Sequence, residues 1–296
     1  MKKDSIFRGV GTALITPFNE DSVDYDTLGR LIDWQIEEGI NALIIAGTTG
    51  EGSTLTDAEH KAVLSYSVER AAGRVPIVAG TGSNETAYAI ELTKYACSAG
   101  CDACLVVTPY YNKATQNGLI KMYNAIADAS TKPLIIYNVP SRTGVSITSQ
   151  TYVALAEHPN IAAIKEANGN ISSVVESLAL LDGKLDMYSG NDDQVIPMMS
   201  VGGAGVISVL SNVMPRATVE MCDKFFAGDL AGAAKMQKDF MPLIRALFSE
   251  VNPIPVKSAM AKMGFGKNIL RLPLTPMEKA HEEKMFAVMK DFGLID

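Results

Sequence analysis

The chain has 296 residues, 47% of them hydrophobic and 20% charged, enough to bury a substantial core. Its 26 basic and 33 acidic residues leave a net charge of -7 without a basic patch, which argues against nucleic acid as a partner. Every apolar run is interrupted well short of the ~18 residues that a membrane span needs, and Met1–Arg8 is basic but has no apolar signal-peptide core. The expected setting is the cytoplasm, where the four cysteines stay reduced.

Short β-branched runs alternate with helix-like segments. The predicted strands are Gly11–Thr16, Ala42–Ala46, Val75–Ala79, Ala103–Val107, Leu134–Asn138, Ile161–Lys165, Leu185–Ser189 and Gly205–Ser208. Amphipathic stretches lie between them, among them Tyr25–Glu38, Asp57–Ala72, Asn84–Ala99 and Gln116–Ser130. In the first, Leu28, Leu31, Ile32, Gln35 and Ile36 recur at helical spacing. Near-continuous apolar strands in such an alternation predict an all-parallel sheet. Eight units in this length fit a closed (β/α)₈ barrel, a TIM barrel, better than the alternative of a doubly wound sheet. From Asp229 onward only helices are predicted, broken at Asn252-Pro253-Ile254-Pro255 and Leu272–Pro276. The expected division is a catalytic barrel over 1–228 and a C-terminal helical domain over 229–296.

In such barrels chemistry sits where strands end. Lys165 is the only amine among the strand-end residues; most other places hold glycine and hydroxyl residues. An amine closing a buried run is either paired, here with Glu166, or used as a nucleophile toward carbonyls once desolvation favours its neutral form. Strand alternation puts Ala163 and Ile161 on the same inward side as Lys165, with Ile164 facing the helices. Tyr137, at the inward end of the neighbouring strand, is placed to move protons to and from a carbinolamine, or simply caps the core. Gly47-Thr48-Thr49-Gly50-Glu51-Gly52 lacks a P-loop lysine and reads better as a turn holding a small carboxylate than as a phosphate cradle. Arg142, in a Pro/Gly-constrained loop, can clamp a second carboxylate or lie free on the surface. No metal site is expected: His60, His158 and His281 avoid the strand ends and read as helix-surface or loop residues. Cys97, Cys101 and Cys104 have iron–sulfur-like spacing. They fall late in a helix, in a loop and inside a strand, and read as buried free thiols.

Gly47–Glu51, Tyr110-Tyr111, Tyr137–Gly144, Ile164–Ala167 and Asn252–Lys257 together resemble the dihydrodipicolinate (4-hydroxy-tetrahydrodipicolinate) synthase family over essentially the whole chain. That family belongs with N-acetylneuraminate lyase to the pyruvate-dependent class I aldolases. The resemblance implies a pyruvyl Schiff base on Lys165, with no other cofactor, that attacks aspartate-4-semialdehyde in lysine and diaminopimelate biosynthesis. It implies a proton relay of Tyr137, Thr49 and Tyr111, the last supplied across a subunit interface. Thr48, Thr49 and the Gly190 and Ile207 backbones would surround pyruvate, Arg142 would receive the semialdehyde carboxylate, and the assembly would be a homotetramer, a dimer of dimers. Another pyruvate aldolase, an N-acetylneuraminate or 2-keto-3-deoxy-sugar acid lyase, is the alternative, and Ser141-Arg142-Thr143-Gly144 speaks against it. In lysine-inhibited members an interface pocket carries a histidine, a glutamate and a tyrosine. Here Asn84, Tyr110 and His60 match, but Tyr88 replaces the glutamate and Asp57 a second histidine, so lysine feedback is expected to be weak or absent.

Overall fold

The computed structural model describes residues 3–296. Met1 and Lys2, which open both the basic N-terminal stretch and the domain expected over 1–228, lie outside the described residues. Eight parallel strands close in sequence order: β1 (Gly9–Ala13), β2 (Ala42–Ile45), β3 (Ile77–Gly80), β4 (Ala103–Val107), β5 (Leu134–Asn138), β6 (Ile161–Glu166), β7 (Asp186–Ser189) and β8 (Gly205–Ser208). β1 pairs with β8 through Gly9↔Gly205 to Thr12↔Ser208, so no edge is left open. The fold is a (β/α)₈ TIM barrel with C-terminal helices. β1 lies two to three residues earlier than the run expected over Gly11–Thr16, because Leu14–Thr16 leave the barrel wall for the first loop.

Each strand feeds helices whose ends are set locally. Thr56 and Glu59 form a reciprocal capping box at the start of Asp57–Ala71. Asp24 accepts from Thr27 N to start Tyr25–Glu37. After the helix Pro215–Phe226, which closes the barrel layer, come Leu230–Asp239, Met241–Leu247, Ile254–Lys262 and Lys279–Asp291.

Two apolar cores follow from the pleat. Leu134, Ile136 and Ile164 pack outward against the helices, whereas Ile135, Tyr137, Ala163 and Ile207 fill the barrel. Phe7 stacks on Tyr188 at 4.3 Å inside the barrel, and the Tyr188 hydroxyl donates to Phe7 O at 2.6 Å. Ile161 departs from the inward position expected for it. The β5–β6 register slips between Leu134↔Ile161 and Ile135↔Ala163, so a bulge at Ala162 turns Ile161 outward while Ala163 and Lys165 stay inward.

Candidate active site at the ends of β5 and β6

The two inward residues that end β5 and β6 share one rung. Tyr137 pairs with Lys165 in register, and the Lys165 amine lies 4.3 Å from the centroid of the Tyr137 ring. Both are buried. The next rung faces the helices. There Asn138 Nδ2 donates to both oxygens of Glu166 at 2.9 and 3.2 Å, Tyr152 donates to Oε2 at 2.7 Å, and Asn168 N donates to Oε1 at 3.0 Å. Glu166 therefore belongs to the outer layer, and the reading of Lys165 as simply paired with it falls away. Burial pushes the Glu166 carboxyl up to about 7 against the pull of the Tyr152 and Asn138 hydrogen bonds.

The loop after β2 folds tightly. A Cβ on Gly52 would stand 2.1 Å from Ala46 O, so glycine alone permits that approach. Thr48 lines the cavity, whereas Thr49 is 2% exposed and its hydroxyl accepts from Asn252 Nδ2 at 3.0 Å. Accepting that bond leaves the Thr49 proton free to be donated. The carbonyl of the same Asn252 accepts from Arg142 Nη2 at 2.9 Å, so one C-terminal residue joins the threonine loop to the guanidinium. Glu51, at φ 51, is ion-paired with the buried Lys257 and accepts from Arg271 N at 3.1 Å. Lys257 and Arg271 both lie on the Phe18 ring, at 4.0 and 4.3 Å.

Arg142 sits in the single turn Pro140–Thr143 that directly follows β5, exposed at the rim. A cavity of about 400 Å³ runs from Thr48, Tyr137, Val139 and Arg142 to Ser53, His60, Ser83, Tyr88 and Tyr110. Lys165, Thr49, Gly190 and Ile207 stand outside that lining. Gly190 abuts the lysine: a Cβ there would come 3.1 Å from Lys165 Cε and 2.7 Å from Ala167 Cβ. Ile207 is fully buried in the barrel interior. Tyr111 is 92% exposed with φ 70, so it does not join the rim of its own chain.

Some residues fall elsewhere than their types suggest. His60 is not on a helix surface. It is 6% exposed, and its Nε2 lies 2.8 Å from Gly80 O, fastening a helix to the end of β3. Burial lowers its pKa. The cysteines are free thiols; Cys101 and Cys104 are buried and Cys97 is half-buried, 3.4 Å from Ser130 Oγ. No group of three or more His, Cys, Asp or Glu among the described residues is placed to hold a metal ion. Asn252 and Lys257 join the rim through Thr49, Arg142 and Glu51, although the sequence offers them only as part of the Asn252–Lys257 run that carries the resemblance.

An amine, a phenol and a guanidinium gathered at the carboxyl end of a closed barrel define a carbonyl-handling (β/α)₈ lyase. Comparison with known proteins agrees. The profile described as the dihydrodipicolinate synthetase family matches residues 6–292, and the chain belongs to that family. It is 52% identical over 293 residues to the 4-hydroxy-tetrahydrodipicolinate synthase of Lachnoclostridium phytofermentans, covering 98% of this chain and 100% of the relative. It superimposes at a TM-score of 0.96 and 44% identity on the chloride-inhibited dihydrodipicolinate synthase of Acinetobacter baumannii complexed with pyruvate, covering 98% and 100% of the two chains. A third match is the enzyme of Cyanidioschyzon merolae with lysine bound, at a TM-score of 0.95 and 38% identity over 99% and 100%.

Proposed function

We propose that the protein carries out the reaction of its family, condensing pyruvate with aspartate-4-semialdehyde to give 4-hydroxy-tetrahydrodipicolinate for lysine and diaminopimelate biosynthesis. The observation that carries this reading is the shared rung of Lys165 and Tyr137. Neutral Lys165 attacks the ketone carbon of pyruvate, and the carbinolamine loses water to become an iminium. Loss of a methyl proton gives an enamine, whose carbon adds to the aldehyde. The amino group of the semialdehyde then displaces the enzyme amine as the ring closes. No cofactor beyond the lysine itself is needed.

Tyr137 is the proton donor to the departing hydroxyl, in a relay with Thr49 and Tyr111. Thr49 supports this role through its free proton, held in place by Asn252. Thr48, Thr49 and the backbones of Gly190 and Ile207 receive pyruvate, and the close approach of Gly190 to Lys165 fits a backbone that walls the adduct. Arg142 binds the carboxylate of the semialdehyde through its fork. A positive-φ tyrosine that is almost wholly exposed is strained without reward in a lone chain. This supports Tyr111 entering the site of a second subunit in a homotetramer built as a dimer of dimers. The C-terminal helices of 229–296 serve the barrel of 1–228 by delivering Asn252 and Lys257. No helix among the described residues is long and apolar enough to cross a membrane, and the cytoplasm is the proposed location.

A coupled assay tests the reading. Turnover with pyruvate and aspartate-4-semialdehyde, and none with pyruvate and N-acetylmannosamine, is expected; the reverse preference would sink it in favour of a sugar-acid lyase.

A further inference from the structure

We propose that the Asn252 side chain sets the direction of proton transfer through Thr49. Its amide nitrogen occupies one lone pair of the hydroxyl, which keeps its own proton to give and a second lone pair to receive another. This rests on the reading of Thr49 as a relay hydroxyl and names the residue that orients it.

The placement comes from printed contacts on both sides of the residue. Asn252 is 5% exposed, and its Nδ2 donates to Thr49 Oγ1 at 3.0 Å. Its backbone oxygen separately accepts from Arg142 Nη2 at 2.9 Å. Five residues on, the buried Lys257 pairs with Glu51, two residues past Thr49. The start of the helix Ile254–Lys262 is therefore fastened twice to the threonine loop, which holds the amide against the hydroxyl.

The other end of the amide is left without a partner. Asn252 Oδ1 is buried and accepts no hydrogen bond. An orphaned buried oxygen is costly, and an apolar side chain would avoid that cost. The asparagine keeps it while committing its nitrogen to Thr49, so the donor is the part of the side chain that the site uses.

The chemistry explains why a donor is needed. A threonine hydroxyl has one proton and two lone pairs. With one lone pair held by Asn252, one proton and one lone pair remain, the set that passes a proton along. When Tyr137 gives its proton to the departing hydroxyl, Thr49 gives its own to the phenolate and takes one from Tyr111. An acceptor at position 252 would draw the Thr49 proton to itself and leave the relay nothing to give. Asn252 acts through Thr49, so it is a positioning residue. Its hold on Arg142 runs through the backbone and survives a change of side chain.

The test uses the full-length protein with Asn252→Ala, which removes the donor, and Asn252→Asp, which puts an acceptor in its place. Thr49→Val is the reference and should lower kcat by about 10²-fold or more. T49V with the kcat of wild type overturns the relay reading and this proposal with it. With T49V impaired, N252A is expected to stay folded and to lose about tenfold in kcat, one hydrogen bond's worth, while the KM for the aldehyde holds. N252D should lose more than N252A and approach T49V, an order that loss of packing alone would not produce. In the T49V background N252A should lower kcat no further, because both act on one hydroxyl. N252A and N252D with the kcat of wild type, or a further tenfold loss in the double variant, overturn the proposal and leave the relay standing. Should one of the two fail to fold, the other decides, alone and combined with T49V.

Discussion

Tyr137 and Lys165 stand on one rung of the barrel wall, with the amine 4.3 Å from the phenol ring, because the rung behind them is clamped by Asn138 and Glu166. The strands present alternate residues to opposite faces, so the inward pair faces the barrel interior while the outward pair holds the two strand ends together.

Removing only the phenol hydroxyl isolates its role. Tyr137→Phe keeps the ring over Lys165 and should leave melting unchanged. Loss of a positioned proton donor should lower kcat by about 10²- to 10⁴-fold. Steady-state kinetics with both substrates checks this; a kcat within a few-fold of wild type would assign the proton transfer elsewhere.

Arg142 is exposed at the rim and bonded to Asn252 O. In Arg142→Lys the charge remains but the fork is lost. The KM for aspartate-4-semialdehyde should rise by about tenfold, one charge-assisted hydrogen bond's worth, with pyruvate trapping unchanged. An equal loss for both substrates would contradict a role confined to the second carboxylate.

How much of this was legible in the chain depends on sequence distance. The strands and the inward facing of Lys165 and Tyr137 follow from local alternation, and they were legible. Ile161 escapes that alternation because a bulge at Ala162 adds a residue to one strand without a mark in the apolar pattern. His60 reads as a surface residue until tertiary packing sets its ring on Gly80 O. The Lys257–Glu51 and Asn252–Thr49 pairs span 206 and 203 positions, and nothing local in either partner names the other.

The Lys257–Glu51 pair is 1% exposed on each side chain. Breaking one side leaves a buried charge unpaired, so Lys257→Met should cost about 3–5 kcal/mol of stability. Replacing both, as in Glu51→Leu with Lys257→Met, should recover much of it. Denaturant titration measures both; a single variant as stable as wild type would show that the pair is not desolvated.

Glu166 couples stability to pH. Burial raises its folded carboxyl to about 7, above the unfolded value of about 4.3, so the folded chain binds the extra proton between those limits. Its contribution is present below that window and is lost as pH rises through about 7. Melting temperatures of Glu166→Gln should be lower throughout, since glutamine cannot accept all four hydrogen bonds, and should fall less between pH 4 and pH 8, flanking that window. An unchanged pH slope would contradict the assignment.

The cavity that holds His60, Tyr88 and Tyr110 offers lysine no carboxylate among its lining residues. The Tyr88 hydroxyl instead donates to Asp57 at 3.2 Å, and Asp57 also pairs with Lys61. Inhibition by lysine should therefore need more than about millimolar concentration, some -4 kcal/mol of binding. Half-inhibition well below that concentration would contradict it.

The proposed reaction turns on Lys165 as the amine that takes pyruvate. Borohydride reduction in the presence of pyruvate, followed by intact mass and peptide mapping, tests it most directly. One reduced pyruvyl adduct per chain, on the peptide carrying Lys165 and absent from Lys165→Ala, is the expected result. An unmodified chain, or an adduct on Lys257, the other lysine buried among the described residues, would contradict it.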